Sequence, residues 1–161
     1  MLERILRILE EDCRTTPKEI ATRLGIEEAE VQRLIAEADK QGVIMGYGAI
    51  VNWAAVAPER VFAFISVSAQ PERDIGFDDI ANRIARFPEV HSVYLVSGTH
   101  DLTVVVEAED FREVAAFVAE KLAPLPGVRS TATSFVLKIY KLEGRLMGDG
   151  GEGDRRLAVS P

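Results

Sequence analysis

An internal repeat constrains this chain more than any other feature. Phe77-x-x-Ile80-Ala81-x-x-Ile84-Ala85 recurs as Phe111-x-x-Val114-Ala115-x-x-Val118-Ala119, and Pro88-Glu89-Val90-His91-Ser92 recurs as Pro126-Gly127-Val128-Arg129-Ser130. Such self-similarity marks one supersecondary unit used twice. Before the first helical stripe, Val61, Ala63, Ile65 and Val67 alternate onto one face of a strand. After it, Val90 to Val96 and Leu102 to Val106 are β-rich runs on either side of Gly98-Thr99-His100-Asp101. Asp110, with Glu113 three residues on, caps a helix carrying Phe111, Val114, Ala115, Val118 and Leu122, and a last strand spans about Val128 to Ile139. Two βαβ halves in this order predict the ferredoxin-like βαββαβ topology, in which two helices cover one face of an antiparallel sheet. The other face has no cover of its own. Phe62, Phe64 or Tyr94, depending on register, would lie on it, so sheet-to-sheet dimerisation is the expected partner.

Ahead of this unit the pattern is helical. Residues 2 to 12 place Leu2, Ile5, Leu6, Ile8 and Leu9 on one broad face. Thr16-Pro17-Lys18-Glu19 combines an N-cap threonine, a proline in the first turn and a glutamate three residues after the cap, which together form a capping box. The helix so started carries Ile20, Ala21 and Leu24 inward and stops at Gly25. Over residues 28 to 41, Val31, Leu34, Ile35 and Ala38 repeat at helical spacing, and Gly42 ends the pattern. Three short helices with a glycine turn before the last form a helix-turn-helix, with a plain three-helix bundle as the alternative. Residues 43 to 52 have β character broken by two glycines, and Trp53 to Pro58 reads as a connector. The expected fold class is therefore α+β: a winged-helix-like helix-turn-helix over residues 1–52, a linker over 53–60, the βαββαβ domain over 61–143, and a disordered tail over 144–161 that is rich in Gly, Asp and Arg.

With 161 residues, 47% of them hydrophobic, the chain can bury a core, which excludes a wholly disordered protein. Apolar runs such as Val61 to Ala69 fall far short of the roughly 20 residues a membrane-spanning helix needs. The first seven residues enter a charged amphipathic pattern with no secretion signal, so the cytoplasm is the expected location and no membrane partner is expected. Cys13 is the single cysteine and reads as structural; no metal site and no cofactor are expected. A formal charge of −7 argues against indiscriminate binding to polyanions, because Lys and Arg supply most non-specific nucleic-acid affinity.

A helix-turn-helix followed by βαββαβ in a chain of this length resembles the Lrp/AsnC family of bacterial and archaeal regulators, over roughly residues 1 to 142. The resemblance rests on Gln41-Gly42-Val43-Ile44-x-Gly46-Tyr47, Phe87-Pro88-Glu89-Val90, the loop Gly98-Thr99-His100-Asp101-Leu102 and the strand Thr131 to Lys138. Each motif alone is weak; their order and spacing make the match. It implies a dimer built through the C-terminal sheets, often assembled to tetramers or octamers, that binds double-stranded DNA through paired helix-turn-helix units. It also implies an amino-acid effector held between dimers against the glycine loop, here Ser97, Gly98, Thr99, His100 and Asp101. Glycine permits close backbone approach and the other side chains offer donors and acceptors for a zwitterion, although Gly and Asp also favour plain turns. Thr131, Thr133 and Ser134 could add hydroxyl contacts from a neighbouring subunit, or serve simply as good strand formers.

The charge of the first 52 residues stands against DNA binding. Seven Lys and Arg face ten Asp and Glu, a net of −3, and the expected recognition helix opens Glu27-Glu28-Ala29-Glu30. Acids at a helix start complement the macrodipole, but they repel phosphates. Glu30 can accept from cytosine N4, Arg33 and Gln32 suit guanine and adenine edges, and Lys18 and Arg23 suit phosphates. Three readings follow. The first is an amino-acid-responsive regulator, and the second is an oligomeric ligand-binding module with weak or lost DNA binding. The third is an enzyme, since distant relatives resembling this family decarboxylate modified tetrapyrroles. Against it, only His91 and His100 offer histidine bases, and no nucleophile–base pair or phosphate loop is read, so a non-enzyme is expected.

Overall fold

The computed structural model describes residues 1–70 and 76–147. The chain divides into two compact units, Met1–Ile50 and the remainder from Val51.

The first unit is built from α1 (Leu2–Glu11), α2 (Pro17–Leu24) and α3 (Glu28–Lys40). Ile5, Ile20, Ala21 and Val31 are its buried centre, with Ile8, Leu9, Leu24, Ile26, Leu34 and Ile35 packed around them. The capping box forms as expected: the Glu19 N–H donates to Thr16 Oγ1 at 3.3 Å and the Thr16 N–H donates to Glu19 Oε2 at 2.8 Å. Gly25 ends α2 in the left-handed conformation, φ 68°, and turns the chain into α3. The β character expected over residues 43 to 52 does not become a strand. A strand needs a paired strand beside it, and among the described residues none pairs with this segment, whose first N–H groups, of Val43 and Ile44, donate to the Ala38 carbonyl in the last turn of α3; Met45 is 97% exposed. Side chains tie the segment down instead, through Tyr47 Oη to Asp39 Oδ1 at 3.2 Å and Cys13 Sγ to the Gly48 carbonyl at 3.6 Å. The Tyr47 phenol is accordingly pushed above its ordinary value, first by desolvation and then by its bond to Asp39.

The second unit runs β1 (Val61–Ala69), α4 (Phe77–Ile84), β2 (Val90–Leu95), β3 (Leu102–Ala108), α5 (Phe111–Ala116) and β4 (Val128–Phe135). The strands form one sheet in the order β2-β3-β1-β4, every pair antiparallel. This is the expected split βαβ arrangement. Val61, Ala63, Ile65 and Val67 alternate with Leu102, Val104 and Val106 on one face, buried under Ile80 and Ile84 of α4 and Val114 of α5. After Ala116 the last helix widens by one residue over Phe117–Leu122, where the Ala123 N–H reaches the Val118 carbonyl at 2.8 Å, and buried Phe117 and Leu122 stay on the core side. Gly127 leads into β4 at φ +87°, and a Cβ there would stand 2.5 Å from Ile80 Cδ1, so a glutamate like the one at position 89 in the first copy of the repeat would strain the backbone and displace Ile80.

Three sequence expectations shift here. The last strand ends at Phe135, not near Ile139; its ring meets Phe111 edge-on at 4.8 Å. The expected tail opens with a hairpin, Lys141–Leu142 paired to Arg145–Leu146, while residues 148 to 161 lie outside the described residues. The stretch expected as a linker belongs to the second unit: Trp53–Ala55 forms a short helical turn, and the Arg60 guanidinium sits 4.2 Å from the Trp53 ring centre and pairs with Glu107 on β3.

Candidate DNA interface and effector loop

In the first unit, α3 buries Val31 and Ala38 and half-buries Leu34 and Ile35, so its opposite face is free of core contacts. Glu30, Gln32 and Arg33 are all exposed there, as are Lys18 and Arg23 on α2. The two side chains best suited to base edges are not idle. Gln32 Nε2 donates to Glu28 Oε1 at 3.1 Å, and Arg33 Nη1 pairs with Glu37 Oε1 at 2.9 Å, each one helical turn away. Both partners of the Arg33 pair are more than half exposed. Exposed i,i+4 pairs are worth only about 0.3–0.5 kcal/mol, so a guanine edge can replace Glu37 at little cost. The acids clamp these side chains without removing them. The i,i+4 spacing of these clamps is visible in the sequence, since Glu28 and Gln32, and Arg33 and Glu37, stand one helical turn apart.

In the second unit, the residues between β2 and β3 are held by a small set of bonds. The Val96 N–H donates to the Asp101 carbonyl at 2.9 Å, and the Asp101 N–H donates to the Val67 carbonyl at 3.0 Å. The Asp101 carboxylate accepts the Ala69 N–H at 2.8 Å, where the β1–β4 register shifts and the ladder alone would leave a gap. Asp101 is thus partly committed to bracing the end of β1. His100 Nε2 lies 2.9 Å from Thr103 Oγ1, which fixes the ring against β3, and Thr99 Oγ1 lies 3.4 Å from His100 Nδ1. Above Gly98 a Cβ would meet nothing within 4 Å, so a ligand has open access to the backbone of this chain. Thr103 was not among the expected site residues; its place on a strand gave no signal.

The hydroxyls of β4 do not gather at this loop within one chain. Thr131 pairs with Val67 and Thr133 with Ile65, which puts both on the helix side, whereas Ser134 pairs with Phe64 and faces the open side. Thr131 is also two strands away from Leu102, about 10 Å at ordinary strand spacing. A cleft of about 710 Å³ opens at the opposite end of the sheet, lined by Glu59, Arg60, Glu89, Glu107, Glu109 and Glu113 among others. Five glutamates would repel an amino acid's carboxylate, and Arg60 already pairs with Glu107, so the charge of this cleft does not suit a zwitterion.

Comparison with known proteins joins these two halves. Residues 62–146 match the Lrp/AsnC ligand binding domain, and residues 2–45 match a winged helix-turn-helix DNA-binding domain. The chain belongs to the Lrp/AsnC family of transcriptional regulators. It is 44% identical to the uncharacterized HTH-type transcriptional regulator YugG of Bacillus subtilis (strain 168), over 98% of this chain and 95% of that one. Among solved Lrp/AsnC-like structures, a transcriptional regulator from Neisseria meningitidis in complex with L-Met is 28% identical, with a TM-score of 0.70 over 88% of this chain and 90% of that one. The feast or famine regulatory protein of M. tuberculosis complexed with L-methionine is 26% identical, with a TM-score of 0.71 over 91% and 96%. Membership places DNA binding on the helix-turn-helix unit and ligand binding on the sheet domain of this Lrp/AsnC protein. No helix among the described residues is long and apolar enough to cross a membrane.

Proposed function

We infer that this Lrp/AsnC protein is a cytoplasmic regulator that binds double-stranded DNA with α2 and α3 of paired copies and responds to an amino acid. One observation carries the DNA half: the outer face of α3 holds Gln32 and Arg33 only by exposed contacts to Glu28 and Glu37 that a base edge can displace. Glu30 reads cytosine or stands aside, and Lys18 and Arg23 hold phosphates. The effector half rests on Ser97, Gly98, Thr99, His100 and Asp101. A ligand ammonium pairs with the Asp101 carboxylate, and the His100 imidazole donates to the ligand carboxylate. A neighbouring copy brings Thr131, Thr133 or Ser134, since one chain does not bring them to its own loop. The two relatives crystallised with L-methionine support an amino acid as the ligand class. Copies join through the open face of the sheet into a dimer, and dimers assemble to a tetramer or octamer around the effector.

A second reading is favoured by the acids that open α3, Glu27, Glu28 and Glu30: an oligomeric ligand-binding module that has lost tight DNA binding. Selection of genomic fragments by the full chain at fixed salt, with and without pooled amino acids, separates the two. Enrichment of a shared sequence whose recovery changes with one amino acid is the expected result. No enrichment in either arm, together with calorimetric binding of an amino acid, would establish the second reading instead.

A further inference from the structure

The outer face of α3 carries a pattern that its charged residues hide. Ala29, Arg33, Ala36 and Lys40 are spaced four, three and four residues apart, all are exposed, and they lie opposite the buried Val31 and Ala38. Acids flank this stripe on both sides, Glu28 and Asp39 along one edge and Glu30 and Glu37 along the other. Carboxylates are repelled by the phosphate walls of a groove, so α3 approaches closest where its side chains are smallest and uncharged, at the two alanines. Along the helix Ala29 lies about 6 Å before Arg33 and Ala36 about 4.5 Å after it, at 1.5 Å per residue. These distances are one to two base steps at about 3.4 Å per step. A methyl side chain has one partner to distinguish among major-groove edges, the 5-methyl group of thymine.

We propose that Ala29 and Ala36 are specificity-determining residues whose methyl groups meet thymine methyls on either side of the base that Arg33 reads. The inference rests on the reading of α3 as the recognition helix and adds to it a base composition: thymines one to two steps before and after a central guanine. Lys40, at the end of the stripe, then stands beside the sugar-phosphate backbone.

Alanine is also the strongest helix former, so its presence alone does not separate recognition from helix propensity. Exchange of thymine for deoxyuridine does, because it removes the methyl and leaves both the pairing edge and the protein unchanged. The experiment takes the sequence selected by the full chain and replaces its thymines one at a time, measuring affinity at fixed salt. At two positions in each half-site the exchange lowers affinity about fourfold, the value of one methyl group returned to water. In Ala29→Gly the loss at one of these positions vanishes and the other persists; in Ala36→Gly the pattern reverses. Each comparison is a ratio of thymine to uracil within one variant, so general weakening of α3 by glycine cancels. A selected sequence with no thymine near the guanine, or one indifferent to every uracil exchange, overturns this inference while leaving α3 as the DNA-reading helix. Failure to select any sequence overturns both.

Discussion

At the scale of single residues, Asp101 braces the end of β1 and, in the function proposed above, also meets the effector. Its carboxylate accepts the Ala69 N–H at 2.8 Å and is part-buried, so truncation leaves a backbone donor unpaired at a register shift. Hydrogen bonds to charged groups of this kind contribute about 1.5–3 kcal/mol. Asp101→Ala should therefore lower the urea midpoint of the chain as well as weaken effector binding, whereas Asp101→Asn keeps an acceptor for Ala69 and removes only the charge offered to a ligand ammonium. Calorimetry and urea unfolding on both variants separate the roles. Equal effector affinity in Asp101→Asn and the parent would leave the residue a brace alone. The loop was legible in the sequence as a glycine turn with donors and acceptors. That its aspartate would be spent in part on Ala69 was not, because the need arises from a bulge between β1 and β4, a pairing of residues about sixty positions apart.

Whole elements were legible where their cause is local. Thr16, Pro17 and Glu19 announce α2 because the capping box is written within four residues, and the alternation of Val61 to Val67 announces β1 because burial on one face follows strand pleat. The widened turn over Phe117–Leu122 was not legible, since its Phe117, Val118 and Leu122 read equally well as the apolar stripe of an ordinary helix. Nor was the failure of residues 43 to 52 to form a strand, which depends on what lies beside them. One link between elements makes a pH prediction. Lys121, in the widened turn, bonds the carboxylate of Glu89, which leads into β2. That bond, helped by the backbone and opposed by burial, holds the Glu89 carboxyl below its ordinary value. A folded carboxyl that binds its proton less readily than the unfolded one adds stability above the ordinary carboxylate value of about 4.3, and that stability is lost as pH falls through and below it. Lys121→Met should thus lower stability near neutrality and flatten its decline between about pH 5 and pH 3. Parallel decline in both proteins would mean that the bond is not held in solution.

At the scale of the whole molecule, the sheet leaves one face without helices. Phe62, Phe64, Val105 and Tyr94 share it by register, with Phe64 47% and Tyr94 55% exposed. Apolar side chains contiguous across three strands are a surface for a second copy, so the full chain should sediment as at least a dimer at micromolar concentration, and Phe64→Arg should shift it to monomer without changing its far-ultraviolet circular dichroism. A parent protein that sediments as monomer would sink this. If copies pair as proposed, the pair also bears on how a chain of net charge −7 holds DNA. On α2 and α3 only Lys18, Arg23 and Lys40 are exposed cations besides Arg33, which makes six for a pair of copies. Counterion release gives a slope of log affinity against log salt of about −0.9 per phosphate neutralised, so these six would give about −5. On that reading affinity per dimer should be modest, and linking dimers on one DNA is the expected way to raise it, through effective concentration. Titration of one site against two correctly spaced sites, at two salt concentrations, tests both quantities together. The expected outcome is tighter binding to the paired sites at each salt and a slope near −5 on the single site. Equal affinity for the two DNAs would remove assembly from the account, and a much steeper slope would mean that cations outside α2 and α3 carry the phosphate contacts.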